Sequence, residues 1–159
     1  MRVPESQWAR LQFLSRVTQK ECLYLQETNE RLFADPMTLE GLHAMERDPL
    51  LSERLDAFVS RFGRLQDNLG DKLLPQLLDA MAESTGAVIE NLDRAEKLGW
   101  IDSADAWLEM RKLRNQMVHE YIEDVYVLMS ALKAGHAFVP VLLESAKRLT
   151  DQINKLSPT

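Results

Sequence analysis

The strongest constraint in the chain is one apolar stripe. Leu51, Leu55, Phe58, Phe62, Leu65 and Leu69 follow one another at steps of four and three residues. At about 100° per residue that spacing puts all six side chains on one face of an α-helix. So regular a stripe is the seam of a helix packed lengthwise on another helix, and the chain must supply further helices to cover it. Upstream, Leu11, Leu14, Cys22, Leu25 and Leu32 predict a long amphipathic helix from Trp8 to Phe33, stopped near Asp35-Pro36. Asp48-Pro49 predicts the start of the striped helix. Gly63, Gly70 and Pro75 predict a kink between Gly70 and Pro75, with the apolar pattern resuming through Leu78 and Met81.

After a turn at Ser84-Thr85-Gly86, Val88, Ile89, Leu92, Ala95 and Leu98 outline a third helix, with Gly99 as the residue that ends it. Asp102 or Ser103 is a suitable N-cap for a fourth, carrying Trp107, Leu108, Met110, Leu113 and Met117. A helical stretch from about Ile122 is expected to end at Ala134-Gly135. A last helix is expected from about Phe138, with Pro140 in its first turn and Val139, Leu142, Ala146, Leu149, Ile153 and Leu156 on one face. No segment alternates with a period of two for long enough to be a strand. The predicted fold class is therefore all-α: a single domain over residues 1–159, an antiparallel bundle of four to six helices with short connections.

Composition narrows the function. With 159 residues, 45% hydrophobic and 28% charged, the chain has the make-up of one ordinary globular domain, which excludes disordered and fibrous readings. A single cysteine, Cys22, excludes an internal disulfide framework and a Cys-rich zinc site, and points to a reducing compartment. The N-terminal stretch has no apolar core of a signal peptide, and no continuous apolar run approaches the roughly 18 residues of a membrane span, so a cytoplasmic protein with no membrane contact is expected. The net charge of -6 repels nucleic acid in bulk. Phosphate contact must come from a local basic cluster.

Few residues offer chemistry. His43, His119 and His136 stand singly, with no metal-ligand spacing between them, so no metal and no cofactor is expected. The carboxylates Glu120, Glu123 and Asp124 read as a solvated face, with a magnesium site as the other reading. Glycine-rich phosphate loops and Gly-x-Ser-x-Gly elbows are absent. What remains is the segment from Arg111 to Tyr121, which gathers Arg111, Lys112, Arg114, Asn115, His119 and Tyr121 in an otherwise acidic chain. In a helix Arg114 and Tyr121 fall nearly on one line, Asn115 and His119 on the adjacent line, and Arg114 and His119 about 140° apart. A guanidinium fork suits phosphate, and a histidine exchanges protons near neutral pH. Arg and His five residues apart arise by chance roughly 0.2 times at this composition; adding Asn after the Arg and Tyr two after the His lowers that to roughly 10⁻⁴.

Arg114-Asn115-x-x-Val118-His119-x-Tyr121, preceded by Leu98-Gly99-x-Ile101 and Trp107, resembles the HEPN superfamily, and within it the HepT toxins of HepT/MntA toxin–antitoxin pairs. The likeness covers roughly Gly86 to Tyr126. The chain departs from the family pattern at Gly63, Gly70 and Pro75. The resemblance implies a helical homodimer with the motif at a cleft on the two-fold axis, and a metal-independent endoribonuclease in which Arg114, Asn115 and His119 are catalytic. Arg111 and Lys112 would then bind RNA. It further implies a minimal nucleotidyltransferase antitoxin of the MntA type that transfers AMP to Tyr121. Its alternative is a non-catalytic nucleotide- or substrate-binding subunit of such a transferase. RNA cleavage by the 2′-hydroxyl needs one proton removed and one donated, and a dimer would supply two copies of His119.

Bland readings suit the other residues. His43 reads as a loop residue, His136 as a helix-terminus residue and Tyr126 as core packing. Trp8, Trp100 and Trp107 read as core or interface anchors. Arg54, Arg61 and Arg64 read as surface ion pairs, with an extended phosphate track as the other reading.

Overall fold

A computed structural model of the chain describes residues 1–119 and 123–159. Helix α1 spans Glu5–Leu32, α2 Leu39–His43, α3 Pro49–Asp67, α4 Leu74–Ala80, α5 Val88–Lys97, α6 Ala104–His119 and α7 Val125–Asn154. A π-turn at Asn68–Leu73 joins α3 to α4 into one rod. The architecture is an all-α bundle, as the periodicity predicts. Local signals explain most of the boundaries. Asp48 caps α3, its Oδ1 accepting from Leu51 N at 3.2 Å, with Pro49 in the first turn. Gly99 ends α5 at φ +76°, a conformation that disfavours any side chain.

The stripe does what its spacing demands. Leu55, Phe58, Phe62, Leu65 and Leu69 are fully buried against α1, α6 and α7, together with Leu11, Leu25, Leu132 and Leu142. The Phe58 and Phe62 rings pack at 5.8 Å, and Phe138 closes on both Phe62 and Trp107. Trp100 and Trp107 are buried and Trp8 partly so, so the tryptophans are core anchors.

One expectation is refined and two are corrected. The irregularity predicted between Gly70 and Pro75 takes the form of a widened π-turn over Asn68–Leu73 with no interruption of the helix, and Pro75 follows it in the first turn of α4. The two helices expected on either side of Gly135 are one, since α7 runs through both Gly135 and Pro140. Pro140 faces outward while Phe138, Val139 and Leu142 bury their side chains, so packing on the inner face outweighs the hydrogen bond that the proline cannot donate. Gly135 marks a close crossing: a Cβ there would stand 2.6 Å from Met117 Cε and 3.4 Å from the Phe58 ring. Being undivided, α7 also has the length and composition of a membrane-crossing helix, with a mean hydropathy of 1.5 over its most apolar window, 39% of which is buried in the fold. Thirdly, Arg2–Val3 and Ser157–Pro158 form a parallel two-stranded pair, too short to show any alternation.

Candidate functional site

The site is built where α6 crosses the α3 rod. Ser103 rather than Asp102 starts α6, its Oγ accepting from Ala106 N at 3.0 Å. From there the helix runs antiparallel to α3 and meets it at two glycines. A Cβ on Gly70 would fall 3.3 Å from Trp107 Nε1, and one on Gly63 2.9 Å from Arg114 Cδ. The two glycines are seven residues apart, as are Trp107 and Arg114, so the intervals match in opposite directions. Gln66 lies between them and donates from Nε2 to the Trp107 carbonyl at 3.1 Å. Only glycine lets the Arg114 stem lie this close to the α3 backbone.

That seating fixes the guanidinium. Arg114 Nη1 donates to Asp67 Oδ1 at 2.5 Å, and more weakly to the Gly63 carbonyl at 3.4 Å. Nη2 reaches Asn115 Oδ1, also at 3.4 Å. The Arg114 side chain keeps 13% of its surface exposed and Asp67 keeps 47%. One turn earlier Arg111 pairs with Asp71 of the π-turn at 3.6 Å. Both candidate phosphate-binding arginines are thus held by carboxylates of the α3 rod, whereas Lys112 is exposed with no ion pair among the described residues.

A groove of about 690 Å³ opens beside this pair, with Ser60, Gly63, Arg64 and Asp67 on one wall and Arg114 and Asn115 on the other. His119 is the last residue of α6, exposed one turn beyond Asn115, and is not among the residues that line the groove. The structure therefore brings Arg114 and Asn115 together with Asp67, and leaves His119 outside the groove's lining. Tyr121 lies outside the described residues.

Other candidates resolve into structural roles. Arg61 Nη1 donates to Thr28 Oγ1 at 2.5 Å and to the Tyr24 carbonyl at 3.1 Å, with its guanidinium stacked over the Tyr24 ring, so it ties α3 to α1 rather than pairing with a surface carboxylate. Arg64 is exposed and bonds Ser60 Oγ at 2.8 Å. His136 lies inside α7, hydrogen-bonded to Asn29 at 2.8 Å and stacked on Phe33, which corrects its reading as a helix-terminus residue. Tyr126 is 66% exposed against the edge of His43, not core packing, and His43 closes α2 rather than lying in a loop. Burial pushes the Cys22 thiol up to about 11, with Glu21 adding to the effect, so it stays protonated and is a poor nucleophile. Among the described residues, no group of three His, Cys, Asp or Glu side chains could hold a metal ion.

Asp67, Asp71 and Gly63 are the participants that a motif search along α6 does not find. For Gly63 the signal is the seven-residue glycine interval, equal to the interval between Trp107 and Arg114; the two aspartates carry none. Comparison with known family models, characterised proteins and solved structures returns no match.

Proposed function

We propose that the chain is the toxin of a toxin–antitoxin pair, a HEPN-type endoribonuclease that works without metal as a homodimer. The observation that carries the reading is the seating of Arg114 and Asn115 in a groove, with His119 exposed one helical turn further along the same helix. In this reading the RNA phosphate takes the Arg114 fork, which stabilises the negative charge that builds on phosphorus. One His119 removes the 2′-hydroxyl proton and the other protonates the departing 5′-oxygen, leaving a 2′,3′-cyclic phosphate and a 5′-hydroxyl. A two-fold axis near the end of α6 would bring the two imidazoles to one phosphate. A minimal nucleotidyltransferase antitoxin would then silence the site by transferring AMP from ATP to the Tyr121 hydroxyl, with pyrophosphate as the leaving group, so that the added phosphate competes with RNA for Arg114.

The test is RNA cleavage by the purified protein in EDTA, followed by end-group analysis. Wild-type protein should yield cyclic-phosphate ends, His119→Ala none, and Arg114→Lys little, because lysine loses the planar fork. Intact RNA with wild-type protein overturns the nuclease reading. Co-expression with a cognate minimal nucleotidyltransferase should add AMP mass that disappears in Tyr121→Phe; a gain that persists in that variant removes Tyr121 from the control step.

Two observations favour a second reading. Arg114 is already neutralised by Asp67, and His119 does not line the groove. Such a site suits a nucleotide-binding subunit of a transferase, with the groove holding a nucleotide and no chemistry done on it. Saturable ATP binding by a protein that leaves RNA intact would select it.

A further inference from the structure

A second groove lies on the far side of α3, between that helix and α1, with a volume of about 630 Å³. Its walls carry Arg10, Arg64 and Lys72, all exposed. Among the described residues none of the three makes an ion pair within 4 Å, unlike Arg111 and Arg114. Two carboxylates share the groove with these three cations. Asp67 is committed to Arg114, while Glu21 is half-buried, accepts from Asn68 Nδ2 at 2.8 Å and offsets part of the charge of Arg64 and Lys72, so the groove keeps an excess of positive charge. Phe13 lines the same groove, 45% exposed, with the Arg10 guanidinium 5.5 Å from its ring centre. In a chain of net charge -6, a groove with three cations outside any close ion pair, beside an exposed aromatic ring, is a local reversal of the bulk field.

The two grooves are neighbours. Arg64 and Asp67 line both, so the α3 ridge between them is shared.

We propose that the groove between α1 and α3 is a binding track for single-stranded nucleic acid, which feeds the strand across Arg64 to Arg114. Phosphates would lie against Arg10, Lys72 and Arg64, and a base would stack on Phe13. This chemistry separates the ligand from the alternatives. Duplex buries its bases away from a lone surface ring, and an acidic peptide has no planar group to stack there. The proposal rests on the ribonuclease reading only in naming the strand as RNA.

The test is fluorescence anisotropy with a labelled 2′-O-methyl oligonucleotide, which cannot be cleaved through its 2′-oxygen, over a series of salt concentrations. Arg10→Ala/Lys72→Ala should weaken binding at least tenfold and lower the slope of log K against log salt by about 1.4, at about 0.7 per cation for a single strand. Phe13→Ala should weaken it about fivefold or more without changing the slope. All three side chains are exposed, so the fold should persist; circular dichroism checks this, and Lys72→Ala alone gives half the slope change if the double variant melts. An unchanged slope, equal binding of duplex or of a poly-glutamate peptide, or a shift from dimer to monomer in light scattering with the Phe13 variant overturns the track. The last of these would assign the face to a second copy of the chain. Failure of the nuclease reading looks different: RNA stays intact while the slope change in anisotropy remains. Failure of the track alone leaves cleavage by the double variant at the wild-type KM.

Discussion

The side chain of Arg114 lies across the backbone of Gly63 so closely that a Cβ on Gly63 would fall 2.9 Å from Arg114 Cδ. The atom it would meet belongs to a flexible stem, so Gly63→Ala should be relieved by the arginine swinging out. Alanine is better than glycine in a helix interior by about 1 kcal/mol, which offsets the disturbed contact. The melting temperature should therefore stay within a few degrees of wild type. Cleavage should fall about as far as in Arg114→Ala. A stable Gly63→Ala protein with full activity would show that the seating is not needed.

Asp67 holds the fork that a substrate phosphate must take. Asp67→Asn keeps an acceptor oxygen for Arg114 Nη1 but drops the charge, so a phosphate meets less competition. Oligonucleotide binding should tighten severalfold. Stability should fall by about 1–2 kcal/mol, between the values for exposed and buried pairs, because Arg114 is mostly covered and Asp67 half exposed. Weaker binding by this variant would mean that Asp67 aims the guanidinium rather than guarding it.

Glu21 gives the pH dependence a sign. Burial pushes its carboxyl above the ordinary 4.5, with the Asn68 hydrogen bond and the charges of Arg64 and Lys72 opposing the shift. The folded chain therefore keeps this proton to higher pH than the unfolded chain does. Stability from this group is lost as pH rises from the ordinary carboxylate value through the raised one. Glu21→Gln keeps an acceptor for Asn68 and removes the ionisation. Its urea midpoint should equal or exceed that of wild type at pH 7, and the difference should shrink toward pH 4. A variant less stable than wild type at pH 7 only would reverse the sign.

Pro140 interrupts the hydrogen-bond ladder of α7 from an exposed position. Pro140→Ala restores one backbone donor and removes the ring's clash, and should raise stability by about 1 kcal/mol or more, seen as a higher melting temperature. A lower one would mean that the ring's effect on the helix path is needed for the packing of Phe138 and Leu142.

What was legible in the sequence was local. The stripe of α3, the Gly99 stop and a cap at Asp102 or Ser103 follow from residues within a turn or two of one another, and the structure has the first two and, of the two caps, Ser103. α7 was misjudged because Gly135 and Pro140 are local breakers, whereas the deciding forces are remote: the close crossing with Met117 and Phe58, and the buried side chains flanking the proline. For the same reason His136 read as a terminus, since its partner Asn29 stands 107 residues away. In the candidate site, Arg114 and Asn115 stood out by type and spacing. Their counter-ions did not, because Asp67 and Asp71 are ordinary surface acids until the α3 rod is laid against α6.

The paired seven-residue intervals act as a two-pin key. With Trp107 seated at Gly70 and Arg114 at Gly63, α6 has one register along α3, and sliding it by a turn would drive side chains into backbone at both pins. The aim of Arg114 is consequently set in part from the far pin, about 10 Å away along the helix at 1.5 Å per residue. A bulkier residue at Gly70 would lever the guanidinium off its target without touching it, so inactivating changes need not cluster around the motif.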